Sequence, residues 1–310
     1  MGRQLRRTTQ LCAAAKMLGL VTVALAVGAA RETMQTEMQA FIDNASSMTG
    51  YSFSVGYHDG TGRSFGLGAG PRTPPSLPEA NPGTVSGKDT MLLGSGTKPF
   101  TAAAVLRLVD QHKVALDDRV MKHIDPVLTA LNGTTFVQLF GPLAAKVTVG
   151  QLLSMQSGIA DFDIPDVDNR ALVAGRLPGG IFDNLYTVAA FPEENGCNTY
   201  NCTWVCEPGT CVSYSSTSYI LAGLVLLAHA PPGQRNPATY DQFAALGLHE
   251  VEFRHTHFLT SGAMNASGLT VAGLSLAYGE AEMFAQDASI LGFTCGNVGA
   301  SAHDIGTRLT

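Results

Sequence analysis

A serine and a lysine, three positions apart, precede a long apolar stretch of the sequence. Ser95 and Lys98 lie in LLGSGTKPFTAAAVLRL, residues 92–108. On a helix, positions i and i+3 share one face, so the amine of Lys98 can approach the hydroxyl of Ser95. A serine hydroxyl is a weak nucleophile and needs a base within hydrogen-bond reach. The spacing predicts a nucleophile with its own base; the simpler interpretation is a polar helix cap followed by a solvated lysine.

The start of this predicted helix suits both interpretations. Pro99 stands in the first turn, where a missing backbone N–H costs nothing. The N–H groups at a helix N-terminus favour a developing oxyanion, and the N–H of Ser95 can donate to one. The apolar pattern continues the helix to about residue 112.

Other elements are predicted from periodicity and capping signals. Helical spacing indicates a first helix over residues 32–48, and alternating residues around Asp59-Gly60 indicate a β-hairpin. Further helices are expected over residues 147–159, after the SSTS stretch that precedes an apolar run, and near residues 237–246. Ser301 and Asp304 have capping spacing for a last helix.

No other group of residues strongly indicates a metal or cofactor site. His255 and His257, together with His249 and Glu250, could suggest a metal. The helical H-E-x-x-H pattern is absent, however, and an H-x-H on an edge strand is more often a pair of solvated polar residues. The sequence also lacks a phosphate-binding loop in a strand-to-helix context and a G-x-S-x-G motif. We predict no metal and no cofactor.

Composition indicates a globular protein with a broad apolar interior. The chain has 310 residues, of which 45% are hydrophobic and 14% charged, and the charged share is well below the average of about 25%. Acidic residues outnumber basic ones 25 to 19, with no basic tract after the N-terminus. Nucleic acid is therefore not an expected partner.

The N-terminal segment has the pattern of an export signal. Arginines precede a 14-residue apolar stretch, MLGLVTVALAVGAA, which ends in small residues and is too short to span a bilayer comfortably. We predict that residues 1–30 are a signal peptide, that residues 31–310 form the mature domain, and that the protein is secreted. The alternative is an uncleaved signal anchor, the one case in which a membrane would be a partner.

Cysteine spacing agrees with an oxidising compartment. Four of the six cysteines lie within CNTYNCTWVCEPGTC, and their spacing does not match the paired C-x-x-C knuckles of a zinc site. We predict two local disulfides, with three pairings possible. Cys295 is then either buried or partnered outside the chain. The disulfide candidates are Cys197, Cys202, Cys206 and Cys211.

Four N-x-[ST] sequons are compatible with entry into the secretory pathway, where their asparagines would be candidates for glycosylation. These asparagines are Asn44, Asn132, Asn201 and Asn265.

Four segments, taken in order, resemble the landmarks of one enzyme family. GSGTKPFTAAAVLRLVDQHKVALDDRV is similar to a nucleophile segment, and VTVGQLLSMQSGIADF to the next helix. CEPGTCVSYSSTSYILAGLVL is similar to the segment of a Tyr-x-Asn motif, and LGFTCGNVGASAHDIGTRL to a Gly-rich strand-to-helix passage. From about residue 85 to the end, this order resembles the serine β-lactamase-like family, which includes class C β-lactamases, D-Ala-D-Ala carboxypeptidases and related esterases.

The resemblance implies roles for individual residues. Ser95 takes the position of the nucleophile, Lys98 that of its base or proton relay, and Tyr214 that of the motif tyrosine that exchanges protons with the serine and the leaving group. Ser216 occupies the substrate-binding position where asparagine is commonest. The family's third motif, K-T-G or H-x-G, does not follow the last helix, so we expect the domain to be C-terminally incomplete.

The resemblance also implies a fold and an activity. The expected fold is α/β of the α+β type, an antiparallel sheet flanked by helices with an inserted all-helical lobe and without the C-terminal strands. The implied function is that of a serine hydrolase that cleaves an amide or ester bond of a small-molecule or peptide substrate through an acyl-enzyme. The alternative is a catalytically inactive secreted glycoprotein with a binding or structural role.

Overall fold

A helix and a strand pair form the first part of the described chain. The computed structural model describes residues 33–73, 82–162, 203–248, 253–260, 269–271, 274–275, 281–282, 288 and 292–308. Helix α1 spans residues 33–49, and strands β1 (Phe53–His58) and β2 (Ser64–Ala69) pair antiparallel. The carboxylate of Asp59 closes the turn between the strands by accepting the backbone N–H of Thr61 at 2.9 Å. The predicted first helix and hairpin are confirmed.

The remaining elements alternate between helices and short strands. In chain order they are β3 (Thr90–Leu92), α2 (Lys98–Asp110), α3 (Val120–Asn132), α4 (Phe136–Phe140), α5 (Val149–Leu153), α6 (Ser216–Ala228), α7 (Gln242–Leu246), β4 (Thr256–Phe258), β5 (Leu274–Ser275), β6 (Ala281–Glu282), β7 (Val298–Ser301) and α8 (Ala302–Arg308).

The described strands form three small antiparallel sheets. Strand β7 lies between β3 and β4, with Gly299 opposite both Leu92 and His257. All four residues of β7 are buried, so this strand runs through the interior next to the start of α2. The pairs β1–β2 and β5–β6 form the other two sheets. The predicted antiparallel α+β architecture is confirmed.

Helix α8 packs across the β1–β2 hairpin through glycines. A Cβ at Gly56 would lie 2.5 Å from the carbonyl oxygen of Ala302, and one at Gly66 would lie 2.6 Å from the backbone nitrogen of His303. The close approach therefore excludes any side chain at these two positions. The backbone N–H of Asp304 donates to the hydroxyl of Ser301 at 3.1 Å, which confirms the predicted cap of this helix.

Helix α6 is the centre of the helical layer. It is buried on all sides from Ser216 to Leu227 and packs against α2, α3 and α5. A helix that is apolar all round belongs in a protein core, as its sequence predicts. Helices α3, α4 and α5 lie between α2 and α6 in the chain, in agreement with the expected helical lobe. The largest fully buried side chains include Phe136, Ile124, Leu128, Leu152, Ile220, Leu221, Leu224 and Leu227.

The helix expected over residues 147–159 is shorter than its sequence pattern suggested. It begins with a capping box between Thr148 and Gln151, but α5 ends at Leu153. Met155 then adopts a positive φ of 58°, which takes the backbone out of the helix. The following residues pair with residues 203–213. Pairing with a distant segment therefore overrides the local helical pattern.

The helix expected near residues 237–246 is interrupted. Asn236 caps a single 3₁₀ turn, Pro237–Thr239, and Asp241 separately caps α7. Two capping side chains five residues apart produce two short turns rather than one helix.

No helix in the described ranges is long and apolar enough to cross a membrane. The predicted signal segment, residues 1–30, lies outside them.

Candidate active site

Ser95 and Lys98 meet at the junction of a short turn and a helix. Ser95 lies in the 3₁₀ turn Gly94–Thr97, and Lys98 is the first residue of α2. The Nζ of Lys98 donates a hydrogen bond to the Oγ of Ser95 at 2.9 Å. Ser95 is exposed, whereas Lys98 is only 5% exposed. The hydroxyl thus faces solvent while the amine that contacts it is held inside the protein.

Two more oxygens surround the amine of Lys98. The Oγ of Ser216 accepts its hydrogen bond at 3.2 Å, and the backbone carbonyl of Cys295 accepts another at 3.1 Å. Together with Ser95, these acceptors match the three donors of a lysine ammonium group. Each of the three is an uncharged oxygen. The amine is therefore fixed in direction by segments of three different elements.

Two tyrosines frame the same amine. The Nζ of Lys98 lies 4.8 Å from the ring centre of Tyr214 and 5.8 Å from that of Tyr219. The hydroxyl of Tyr214 is hydrogen-bonded to the Oγ of Ser95. Tyr219 is buried, its hydroxyl donates to the carbonyl of Leu153 at 3.0 Å, and burial, reinforced by the neighbouring Tyr214, raises the pKa of its phenol. Tyr214 is half exposed and has the accessible phenol.

Polar contacts fix the N-terminus of α6. The backbone N–H of Ser216 donates to a carboxylate oxygen of Asp161 at 2.9 Å, and the side chain of Ser215 caps the helix by accepting from Ser218. A carboxylate at a helix N-terminus is favourable because the first N–H groups have no partners within the helix. These contacts fix Ser216, and through it the amine of Lys98.

The turn that carries Ser95 is hydrogen-bonded to β7, the middle strand of the β3–β7–β4 sheet. The backbone N–H of Leu93 donates to the carbonyl of Val298 at 2.8 Å, and the N–H of Val298 donates to the Oγ1 of Thr97 at 2.9 Å. Thr101, one turn into α2, donates through its Oγ1 to the carbonyl of Thr294 at 2.7 Å. The Ser95 turn therefore has a fixed position against β7 and the segment that precedes it.

The structure brings together four predicted site residues, Ser95, Lys98, Tyr214 and Ser216. Ser216 is fully buried and contacts Lys98, so a contact between this residue and a substrate stays a prediction. Asp161, Tyr219 and the carbonyl of Cys295 were not predicted from the sequence. Asp161 and Tyr219 lie inside the segments quoted for the resemblance, which was the available signal, whereas no side-chain pattern indicates a backbone carbonyl.

Two of the cysteine candidates are described, and they pair with each other. Cys206 and Cys211 form a disulfide, which confirms that the cysteine cluster holds one. Cys197 and Cys202 lie outside the described residues, and Cys295 is buried. Among the predicted glycosylation positions, Asn44 and Asn132 are on exposed helical sites, whereas Asn201 and Asn265 are not described.

The histidines that the sequence offered as possible metal ligands lie in a different part of the molecule. His257 lies on the edge strand β4, and the backbone N–H of His255 donates to Asp304 at 2.8 Å, whereas His249 and Glu250 are not described. The described ranges hold no group of three His, Cys, Asp or Glu residues that could bind a metal ion.

Comparison of the sequence with proteins of known function identifies relatives that are considerably longer. The chain is 30% identical over 158 residues to "Penicillin-binding protein 4" of Amycolatopsis lactamdurans, a match that covers 51% of this chain and 34% of that protein. It is 26% identical over 166 residues to "Protein flp" of Staphylococcus aureus, with 54% and 28% covered. The matches thus span about a third of the length of these relatives.

Solved structures share the fold at lower identity. An octameric penicillin-binding protein homologue from Pyrococcus abyssi superposes with a TM-score of 0.60 at 19% identity, covering 88% of this chain and 55% of that one. A D-amino acid amidase from Ochrobactrum anthropi, in complex with D-phenylalanine, superposes with a TM-score of 0.58 at 15% identity, covering 89% and 70%. The family model described as Beta-lactamase matches residues 57–305, most of the chain. The chain therefore belongs to the beta-lactamase family.

Proposed function

We propose that this protein is a serine hydrolase that cleaves an amide or ester bond through an acyl-enzyme on Ser95. The observation that carries the proposal is the position of the Ser95 Oγ, which contacts both the Nζ of Lys98, at 2.9 Å, and the hydroxyl of Tyr214. A nucleophile needs one group to take its proton and another to supply a proton to the leaving group. Lys98 and Tyr214 are placed to act as these two groups.

Acylation follows from this arrangement. In its neutral form, the amine of Lys98 accepts the hydroxyl proton of Ser95 on its lone pair while the Oγ attacks the carbonyl carbon of the substrate. The negative charge that develops on the carbonyl oxygen is favoured by N–H groups at the helix N-terminus, among them that of Ser95. The tetrahedral intermediate collapses when the bond to the leaving group breaks. Tyr214 donates its proton to the departing nitrogen or oxygen and recovers one from Lys98.

Deacylation repeats these steps with water as the nucleophile. Water loses a proton to the neutral amine of Lys98 and attacks the acyl carbon, and the Ser95 oxygen leaves as the alcohol after it regains that proton from Lys98. The products are a carboxylic acid and the amine or alcohol that left first. The groups used by this mechanism are side chains and backbone N–H groups.

The substrate class is a small molecule or peptide with an accessible amide or ester carbonyl. This choice is supported by the similarity of the fold to D-amino acid amidase and to a D-stereospecific amidohydrolase from Streptomyces. The accessible position of Ser95, which is exposed rather than enclosed among the described residues, supports the same class.

Active-site labelling tests the proposal. The full-length chain is incubated with a fluorophosphonate probe, and the mass of the intact protein is measured. We expect one adduct on the wild type and none on Ser95→Ala, while Ser154→Ala, which removes an exposed hydroxyl elsewhere, is labelled like the wild type. Absence of an adduct on a wild-type chain with a cooperative unfolding transition would favour the non-catalytic alternative.

We also infer that the chain enters the secretory pathway. The Cys206–Cys211 disulfide supports this inference because such bonds persist mainly in oxidising compartments. Expression with residues 1–30 intact, followed by N-terminal sequencing of secreted protein, tests it. A new N-terminus near Ala30 is expected, whereas retention of the whole segment on a membrane fraction would indicate a signal anchor.

A further inference from the structure

The segment before Tyr214 runs along the residues that follow α5. The backbone N–H of Ala160 donates to Thr203 at 3.0 Å, and the N–H of Val205 donates to Gly158 at 2.7 Å. The chain then turns away from residues 155–160. It returns to them at Ser213, whose N–H donates to the carbonyl of Met155 at 2.9 Å. Residues 206–212 therefore form a loop with both ends attached to the same short segment.

The disulfide closes this loop near its base. Cys206 and Cys211 are bonded, with their Cα atoms 6.3 Å apart. Gly158 allows the close approach, because a Cβ at this position would lie 2.2 Å from the carbonyl oxygen of Cys206. Between the cysteines, the N–H of Gly209 donates to the carbonyl of Gln156 at 2.8 Å. Without the disulfide, the loop between Val205 and Ser213 would have this single backbone hydrogen bond to residues 155–160.

Tyr214 depends on its backbone for its position. It follows Cys211 by three residues, and its side chain is 51% exposed. Val212, two residues before it, is 72% exposed. Its side chain contacts Ser95 and Lys98, which are the reacting groups themselves. A phenol with about half of its surface in solvent depends for its position largely on the chain on either side of it.

We propose that the Cys206–Cys211 disulfide positions Tyr214 for proton transfer. The inference rests on the proposed function and assigns to the disulfide a role in turnover beyond stabilisation of the fold. The disulfide fixes the N-terminal end of the segment that carries Tyr214, and the start of α6 fixes the other end. Removal of the disulfide therefore lowers the rate of the chemical step and leaves the affinity for substrate almost unchanged.

A double-mutant cycle on the full-length chain tests this positioning role. The four proteins are the wild type, Cys206→Ala/Cys211→Ala, Tyr214→Phe and the triple variant, and the substrate is D-alanine p-nitroanilide, whose leaving group needs a proton. We expect the cysteine variant to lose roughly tenfold in kcat with KM within about twofold, because general-acid groups contribute roughly 10²–10⁴-fold and misplacement forfeits part of it. The triple variant is expected to match Tyr214→Phe, since the two changes act on the same group.

A second substrate and a control variant sharpen the test. A p-nitrophenyl ester releases a phenolate that needs no proton, so the cysteine variant is expected to lose much less kcat on p-nitrophenyl acetate. Glu207 lies in the same loop and makes an exposed contact with Lys146. Glu207→Gln weakens this contact but keeps the disulfide, and it should behave like the wild type on both substrates. Should the cysteine variant fail to unfold cooperatively, Cys206→Ser/Cys211→Ser replaces it in the cycle, because it lacks the same bond but keeps side chains of nearly the same volume.

The outcomes separate this inference from the proposed function. Turnover by the wild type that is lost in Ser95→Ala establishes the function independently of the cycle. The positioning role is overturned if the losses in kcat from the cysteine change and from Tyr214→Phe add in the triple variant. It is also overturned if the cysteine change leaves kcat unchanged. Neither result contradicts the proposed hydrolase function. A wild type without turnover or fluorophosphonate labelling overturns the hydrolase itself.

Discussion

The hydroxyl of Ser216 accepts a hydrogen bond from the Nζ of Lys98 at 3.2 Å, although the two residues begin different helices, α6 and α2. Ser216 is fully buried, and its own backbone N–H is held by Asp161. The contact therefore transmits the position of the α6 N-terminus to the amine that faces Ser95. Such a contact can orient the proposed base without touching a substrate.

Replacement of Ser216 by alanine should weaken this orientation. Ser216→Ala removes one of the three oxygen acceptors of Lys98, and we expect a loss of about 1 kcal/mol in the free energy of unfolding. We also expect kcat to fall several-fold with KM unchanged. Urea unfolding and steady-state kinetics measure the two effects. A changed KM with an unchanged kcat would instead place Ser216 in substrate binding.

Lys98 should be required for acylation itself. Lys98→Met keeps the length of the side chain but removes the amine, so Ser95 loses the group proposed to take its proton. We expect the second-order rate of fluorophosphonate labelling to fall roughly 10²–10⁴-fold, the usual contribution of a general base. Lys146→Met, which alters an exposed lysine, serves as the control. An equal labelling rate in Lys98→Met and the wild type would remove Lys98 from the mechanism.

Thr97 should stabilise the turn that carries Ser95 through its hydrogen bond with β7. Thr97 is fully buried, and its Oγ1 accepts the N–H of Val298 at 2.9 Å. Thr97→Val keeps the shape but leaves a buried N–H without an acceptor, which costs roughly 1–3 kcal/mol. Urea unfolding should detect this loss. Thr129→Val removes an exposed hydroxyl that donates to Thr134 and should change stability by less than about 0.5 kcal/mol.

The sequence indicated the parts of the site that lie close together in the chain. The spacing of Ser95 and Lys98 is local, so helix geometry alone predicted their contact. Tyr214 came from resemblance, because 119 residues separate it from Ser95 and periodicity carries no information on such a contact. The carbonyl of Cys295 could not be predicted at all, since any residue has one and its direction depends on the packing of the 3₁₀ turn that contains Cys295.

The same distinction applies to the fold. The β1–β2 hairpin and the cap at Ser301 depend on neighbouring residues and were predicted. The end of α5 depends on pairing with residues 203–213, and the sequence pattern therefore extended this helix too far. The His123–His229 contact, at 3.1 Å between the ends of α3 and α6 that face each other, was likewise not apparent from the sequence.

His229 should make stability sensitive to mild acid. Partial burial, then the nearby His123, Lys113, Arg235 and Lys122, hold the pKa of His229 below its ordinary value of 6.5. His123 in turn contacts the carboxylate of Asp118 at 3.0 Å, whose pKa is lowered mainly by the hydrogen bond from Lys122.

The direction of the pH dependence follows from these shifts. Because His229 binds a proton more readily in the unfolded chain, its contribution to stability is complete above pH 6.5 and declines as the pH falls through the lower pKa of the folded state. We therefore expect the urea midpoint to fall between pH 7.5 and about pH 5.5, and to fall less steeply in His229→Gln. His112→Gln alters an exposed histidine and should keep the wild-type slope. If His229→Gln and the wild type lose stability in parallel, the acid sensitivity arises elsewhere in the chain.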